Sequence, residues 1–164
     1  MQTVAKKQQE NVRKEREEET GRRPLEIFSK VLQLWDSGDI EGGISYYEPS
    51  CDVEWPGAKG LEQCEALLRT IYGAFPDGKN EIIDSVESGD ASLLGIEVEF
   101  TGTHAGTLVT TATGQKVPPT GKKMRLGLGQ IVRFKGGRIV YHHAYWDRVQ
   151  VYEQLGLTGP GKER

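Results

Sequence analysis

At Pro76-Asp77-Gly78 the spacing of apolar residues changes, and that change limits the folds open to the chain. Before it, apolar side chains recur about every 3.6 residues; after it they alternate with a period of about 2, the signature of strands. Leu25, Phe28, Leu32 and Trp35, with Val31 beside them, form a helical stripe behind Pro24, a residue favoured in a helix's first turn. Ser37-Gly38 stops it. Asp39 is placed to cap a second, short helix carrying Ile44 and Tyr47, which Pro49 ends. Cys51 to Trp55 reads as a short strand closed by Pro56-Gly57. Leu61, Cys64, Leu68 and Ile71 stripe a third helix over about residues 61–74. Beyond the turn, residues 81–88, Leu93–Thr103, Lys123–Lys135 and Arg138–Trp146 read as strands, with turn signals at Gly89-Asp90 and Gly136-Gly137. Helices followed by strands imply an α+β fold, with three helices packed on one face of a curved, mostly antiparallel sheet.

The chain's 164 residues suit one domain, and its net charge of -3, from 21 basic and 24 acidic residues, gives no reason to expect nucleic acid or an anionic membrane as partner. The opening MQTVAKKQQENVRKEREEET has basic residues with no apolar run behind them, so it reads as neither signal peptide nor anchor. No apolar stretch approaches the ~18 residues of a spanning helix. These features predict a soluble, cytoplasmic protein. Residues 1–22 read as a charged arm, frayed or disordered, with opposite charges four apart in pairs such as Glu10 and Lys14. Residues 23–157 form the expected domain and 158–164 a tail. Cys51 and Cys64 lack metal-ligand spacing and read as reduced thiols, although two cysteines alone do not exclude a disulfide.

Strand parity sorts the polar residues. Ile96, Val98 and Phe100 share a covered face, and extending it puts His104 there too, at the strand's end. A loop histidine bonded to backbone is the competing reading. Gln130 falls between Leu128 and Val132 on an apolar face, where burial without a partner costs roughly 1–3 kcal/mol. It therefore bonds either a structural neighbour or something in a pocket. Gly127 and Gly129 on the opposite face suggest close approach of another backbone or a subunit. In the last strand, Tyr141, His143, Tyr145 and Asp147 share one face, and Val140, His142, Ala144 and Trp146 the other. Both are half apolar, as expected if one lines a cavity and the other meets a dimer partner. A His104/His143/Asp147 iron triad is imaginable, but nothing in the spacing demands it, and a metal-free site is preferred. Asp147 is either a proton shuttle with a pKa raised by an apolar cavity or a cap for the helix that follows.

The series LWDSGDI, FTGTHAG, PPTGKKM, FKGGRIVYHHAYWD and EQLGL resembles the SnoaL-like branch, polyketide cyclases and ester cyclases, of the nuclear-transport-factor-2-like superfamily. The resemblance covers about residues 24–157. It implies an α+β cone, a bent sheet wrapped around helices, with a deep apolar pocket. It also implies a homodimer formed through the sheet and, in the enzymes, acid/base chemistry without a cofactor. By its place in HHAYWD, Asp147 matches the aspartate that moves the proton in the cyclases. The cyclases use a histidine on a neighbouring strand, where this chain offers Gln130. His104, His143 and Gln130 complete the candidate catalytic set. Trp35, Trp55, Tyr72, Phe100 and Tyr145 are the candidate walls for a hydrophobic substrate; Tyr47 and Phe75 read as lining or core. The loop over about residues 105–122 reads as a lid or a surface insertion. The expectation is a cofactor-free cyclase, isomerase or epoxide-opening enzyme acting on a polyketide- or terpenoid-like molecule. A carrier of hydrophobic ligands and a protein-interaction module on the same scaffold are the alternatives.

Overall fold

The computed structural model describes residues 22–109 and 114–157, so the arm expected over 1–22 and the tail over 158–164 lie outside the described residues, Arg22 excepted. Helix α1 (Pro24–Asp36) opens on its proline and buries Ile27, Phe28, Val31, Leu32 and Trp35. It is tied down at both ends. Glu87 accepts a hydrogen bond from Leu25 N at 2.7 Å and pairs with Arg23. This carboxylate satisfies an orphan donor and complements the positive end of the helix. At the other end, Asp36 accepts from Asn80 N at 3.0 Å. Helix α2 (Ile40–Ile44) is one short turn capped by Asp39, whose carboxylate accepts from Gly42 N at 2.8 Å.

Strand β1 (Tyr47–Trp55) is longer than the sequence suggests. Tyr47 belongs to it, not to a helix, and Pro49 lies inside it. The β1 ladder skips between Tyr47 and Asp52. Pro49 occupies that gap, where no backbone donor is needed. A turn at Pro56-Gly57 leads into β2 (Ala58–Lys59). Helix α3 (Leu61–Ala74) buries Cys64, Leu67, Leu68 and Ala74.

Strands β3 (Lys79–Glu87), β4 (Leu93–Thr103), β7 (Lys123–Lys135) and β8 (Arg138–Tyr145) follow, with a small hairpin, β5 (Leu108–Val109) and β6 (Lys116–Val117), inside the long loop. Gly136 and Gly137 have φ of 57° and 77°, the left-handed pair a two-residue hairpin needs. Helix α4 (Arg148–Leu155) closes the described chain. The main sheet has order β2-β1-β8-β7-β4-β3; β1 and β8 are parallel and its other pairs antiparallel. Register shifts in the β1–β8, β3–β4 and β7–β8 ladders are bulges, which bend strands.

The main core joins α1, α2 and α3 to the inner sheet face. A smaller cluster of Ala74, Phe75, Phe100, Met124 and Leu155 lies at the α4 end. Cys51 and Cys64 are buried free thiols, and burial pushes both up to about 12. No described helix is long and apolar enough to cross a membrane.

Candidate active site

A cavity of about 150 Å³ is lined from both apolar clusters. Trp35, Trp55, Tyr72 and Phe100, four of the expected aromatic residues, line it. Tyr72 and Phe75 each meet Phe100 edge-on, with centroids 6.0 and 5.9 Å apart. Tyr145 does not line it. That side chain is 59% exposed on the outer face of the sheet.

The strongest polar feature is a chain of three buried side chains, Tyr47, His142 and Gln130. Tyr47 Oη lies 2.8 Å from His142 Nδ1, and His142 Nε2 lies 2.7 Å from Gln130 Oε1. An amide oxygen only accepts, so Nε2 carries the ring proton and Nδ1 accepts from the tyrosine. The imidazole also meets Phe28 and Trp55 edge-on, at 5.2 and 5.1 Å. Burial in this aromatic nest, with His143 adding like charge, pushes its pKa down to about 3. His142 is therefore neutral at physiological pH. Desolvation likewise holds the Tyr47 phenol protonated. Gln130 thus ends a neutral relay on the cavity wall, and its amide nitrogen makes no hydrogen bond to a described residue.

A second polar group joins the wall from α1, α3 and β3. Tyr72 Oη donates to Asp36 Oδ1 at 2.8 Å, and Asn80 Nδ2 reaches both Asp36 Oδ1, at 2.6 Å, and Tyr72 Oη, at 2.8 Å. Tyr72 and Asn80 line the cavity, with Asp36 behind them. Desolvation, then the Asp36 charge, raises the Tyr72 pKa. Trp35 and Trp55 carry buried indole nitrogens without a hydrogen-bond partner among the described residues. The Trp35 nitrogen sits against Gly43, where an added Cβ would lie 2.1 Å away.

The other candidates lie elsewhere. Asp147 is exposed, is not a cavity-lining residue, and caps α4 by accepting from Val149 N at 2.8 Å. This corrects the expectation of a carboxylate facing the cavity. His143 is on the outer face, stacked on Tyr141 at 4.1 Å with its Nε2 3.4 Å from Asp52. Its strand neighbour His142 takes the inward position. His104 is fully buried but outside the cavity wall. Its Nδ1 lies 3.0 Å from Thr120 Oγ1 and accepts from Thr120 N at 3.3 Å, and its ring tilts over Phe75. Desolvation lowers its pKa. Around it, His104 N donates to Lys122 O and Gly121 N to His104 O, both at 2.9 Å, so GTHAG and PPTGK are zipped together at the base of the loop. Ala105 N and Gly106 N dock this staple onto Ala74 O at the end of α3. His104, His143 and Asp147 therefore do not converge. Among the described residues no group of three or more His, Cys, Asp or Glu could hold a metal ion.

A bent, mostly antiparallel sheet closed over by helices, with a mostly apolar cavity and a few polar groups on its wall, defines the class: a cone-shaped α+β domain. Residues 26–155 match the SnoaL-like polyketide cyclase family, and the chain belongs to it. Among solved structures it resembles IdmH of Streptomyces antibioticus, a proposed polyketide cyclase, at 25% identity and a TM-score of 0.68, over 83% of this chain and 100% of that one. A proposed polyketide cyclase from Acidithiobacillus ferrooxidans is 26% identical, with a TM-score of 0.65, over 80% and 92%. AclR of Streptomyces galilaeus, a proposed hydroxylase, shares the fold at 22% identity and a TM-score of 0.68, over 79% and 92%. No curated protein matches the chain significantly.

The sequence reading missed His142, Asp36 and Asn80 as site residues, and took Tyr47 only as lining or core. Parity placed His142 with Ala144 and Trp146, both of which line the cavity, so a signal for it existed. Asp36 and Asn80 stand at element ends, where polar residues look like caps, and gave none.

Proposed function

We propose that the protein is a small enzyme that moves a proton on a hydrophobic carbonyl compound held in the cavity, in a cyclisation, isomerisation or epoxide opening of a polyketide- or terpenoid-like molecule. The observation that carries this reading is the buried Tyr47–His142–Gln130 chain ending on a mostly apolar wall. A core without a site would gain more from apolar residues at these positions, since buried polar networks are costly unless every member is satisfied. The Gln130 amide N–H donates to the substrate oxygen as negative charge develops on it. The neutral His142 and Tyr47 fix the orientation of that amide at no cost in reorganisation. Tyr72 supplies the path for the proton. As its oxygen takes a proton from the substrate carbon, its own proton passes to Asp36, and the reverse transfer returns it. These steps use side chains alone.

The test uses 2-tetralone, a bicyclic ketone with exchangeable α-protons, in deuterated buffer followed by NMR. The wild-type protein should accelerate exchange, and Gln130→Leu should lose about 10²-fold of that acceleration, the usual cost of one oxyanion donor. A folded Q130L protein with the full rate overturns the assignment. Binding of 2-tetralone without acceleration identifies a carrier instead. We further propose that the protein forms a homodimer through the outer face of its sheet.

A further inference from the structure

Arg148 is the charged side chain on the described wall of the cavity. It is half-buried, and among the described residues no hydrogen bond or ion pair reaches its guanidinium. Its position works against the helix. Arg148 is the first residue of α4, where the helix's own partial positive charge disfavours a cation. The neighbouring Asp147 carboxylate is committed to Val149 N and does not pair with it. At the opposite end of α4, Lys122 Nζ comes within 2.2 Å of where a Cβ on Gly156 would lie, so a cation is already supplied where the dipole favours one. Helix stability therefore gives no reason for an arginine at position 148.

An unpaired guanidinium beside an apolar wall presents a planar fork that matches a carboxylate. The geometry points to a substrate class: a hydrophobic carboxylic acid, its ring among the aromatic walls and its carboxylate held by Arg148 at the α4 end. This deepens the proposed function and rests on the same cavity being the substrate site. It adds a recognition residue that takes no part in proton transfer.

Three tryptophans, Trp35, Trp55 and Trp146, line the cavity, so their fluorescence reports its occupancy. The probes are 2-naphthoate and its methyl ester, titrated at neutral pH. The wild-type protein should bind the carboxylate about tenfold tighter or more, as expected for a charge-assisted pair. Added sodium chloride should weaken only the carboxylate. Arg148→Met should abolish the preference while leaving ester affinity unchanged, and Arg148→Lys should keep part of it. Equal binding of the two probes by the wild type, or a preference that survives R148M, overturns the inference and leaves the proton-transfer reading standing. Binding of neither probe overturns the inference and leaves the proton-transfer reading to the 2-tetralone exchange. The salt titration needs no variant, so a folding defect in R148M does not block the test.

Discussion

A neutral histidine held in an aromatic nest has a measurable consequence for the whole protein. His142 has a folded pKa of about 3 against an ordinary value of about 6.5. Between those values the unfolded chain binds a proton that the folded chain refuses. Stability is therefore fully present above about pH 6.5 and falls as the pH drops towards 3, with a slope approaching ~1.4 kcal/mol per pH unit from this group. His104, also depressed by burial, acts in the same direction. His142→Gln keeps hydrogen-bonding capacity without titrating, and the comparison isolates the single group. Urea denaturation between about pH 7 and 5.5 should show a shallower loss for H142Q than for wild type. Parallel slopes would mean that the imidazole is not buried in its neutral form. At this scale Gln130 was legible because one polar residue interrupted an apolar parity. The choice between His142 and His143 was not. Each face of β8 sets one histidine between apolar or aromatic side chains, and Tyr47, which would have settled the matter, lies 95 residues away in sequence.

Elements explain why the family's motif residues need not be its chemistry in this chain. Asp147 ends a strand and starts a helix, and its carboxylate serves the second task. Asp147→Ala should cost about 1 kcal/mol, as for other caps, and leave 2-tetralone exchange per folded molecule unchanged. A loss of exchange in a stable D147A protein would restore the aspartate as a participant. GTHAG and PPTGK likewise form a staple, tying the loop that follows β4 to the start of β7 and to the end of α3. Gly106 is required there because a Cβ would lie 2.0 Å from the Gly73 carbonyl oxygen. The bounds of β4 and β7 could be read from the chain, since each alternates without interruption up to a turn or a loop. β1 could not, because Pro49 reads locally as a stop. Only its pairing with β8 shows that the proline occupies a gap in the ladder.

For the whole molecule, the two faces of the sheet do different work. The inner face holds the cavity; the outer face carries one cross-strand row, His143–Ile131–Gly95–Val86, whose apolar members Val86 and Ile131 are 71% and 37% exposed. On one side of it runs Tyr141–Arg133, on the other Tyr145–Gly129–Glu97. Arg133 and Glu97 are exposed and make no ion pair among the described residues. A two-fold axis near Ile131 would exchange those flanking rows, bringing Arg133 of one copy towards Glu97 of the other over a strip left open by Gly127 and Gly129. Charge complementarity of this self-matching kind favours a second copy as the cover for the apolar row. Sedimentation at micromolar concentration should give a dimer for the wild type and a monomer for Ile131→Glu, which sets two like charges face to face at the axis. Arg133→Glu should also dissociate it, and Arg133→Glu combined with Glu97→Arg should restore it. A wild-type monomer, or a dimer indifferent to all three, would assign the outer face to another partner. The inner cavity would keep its own reading, because none of its lining residues lies on these outer rows.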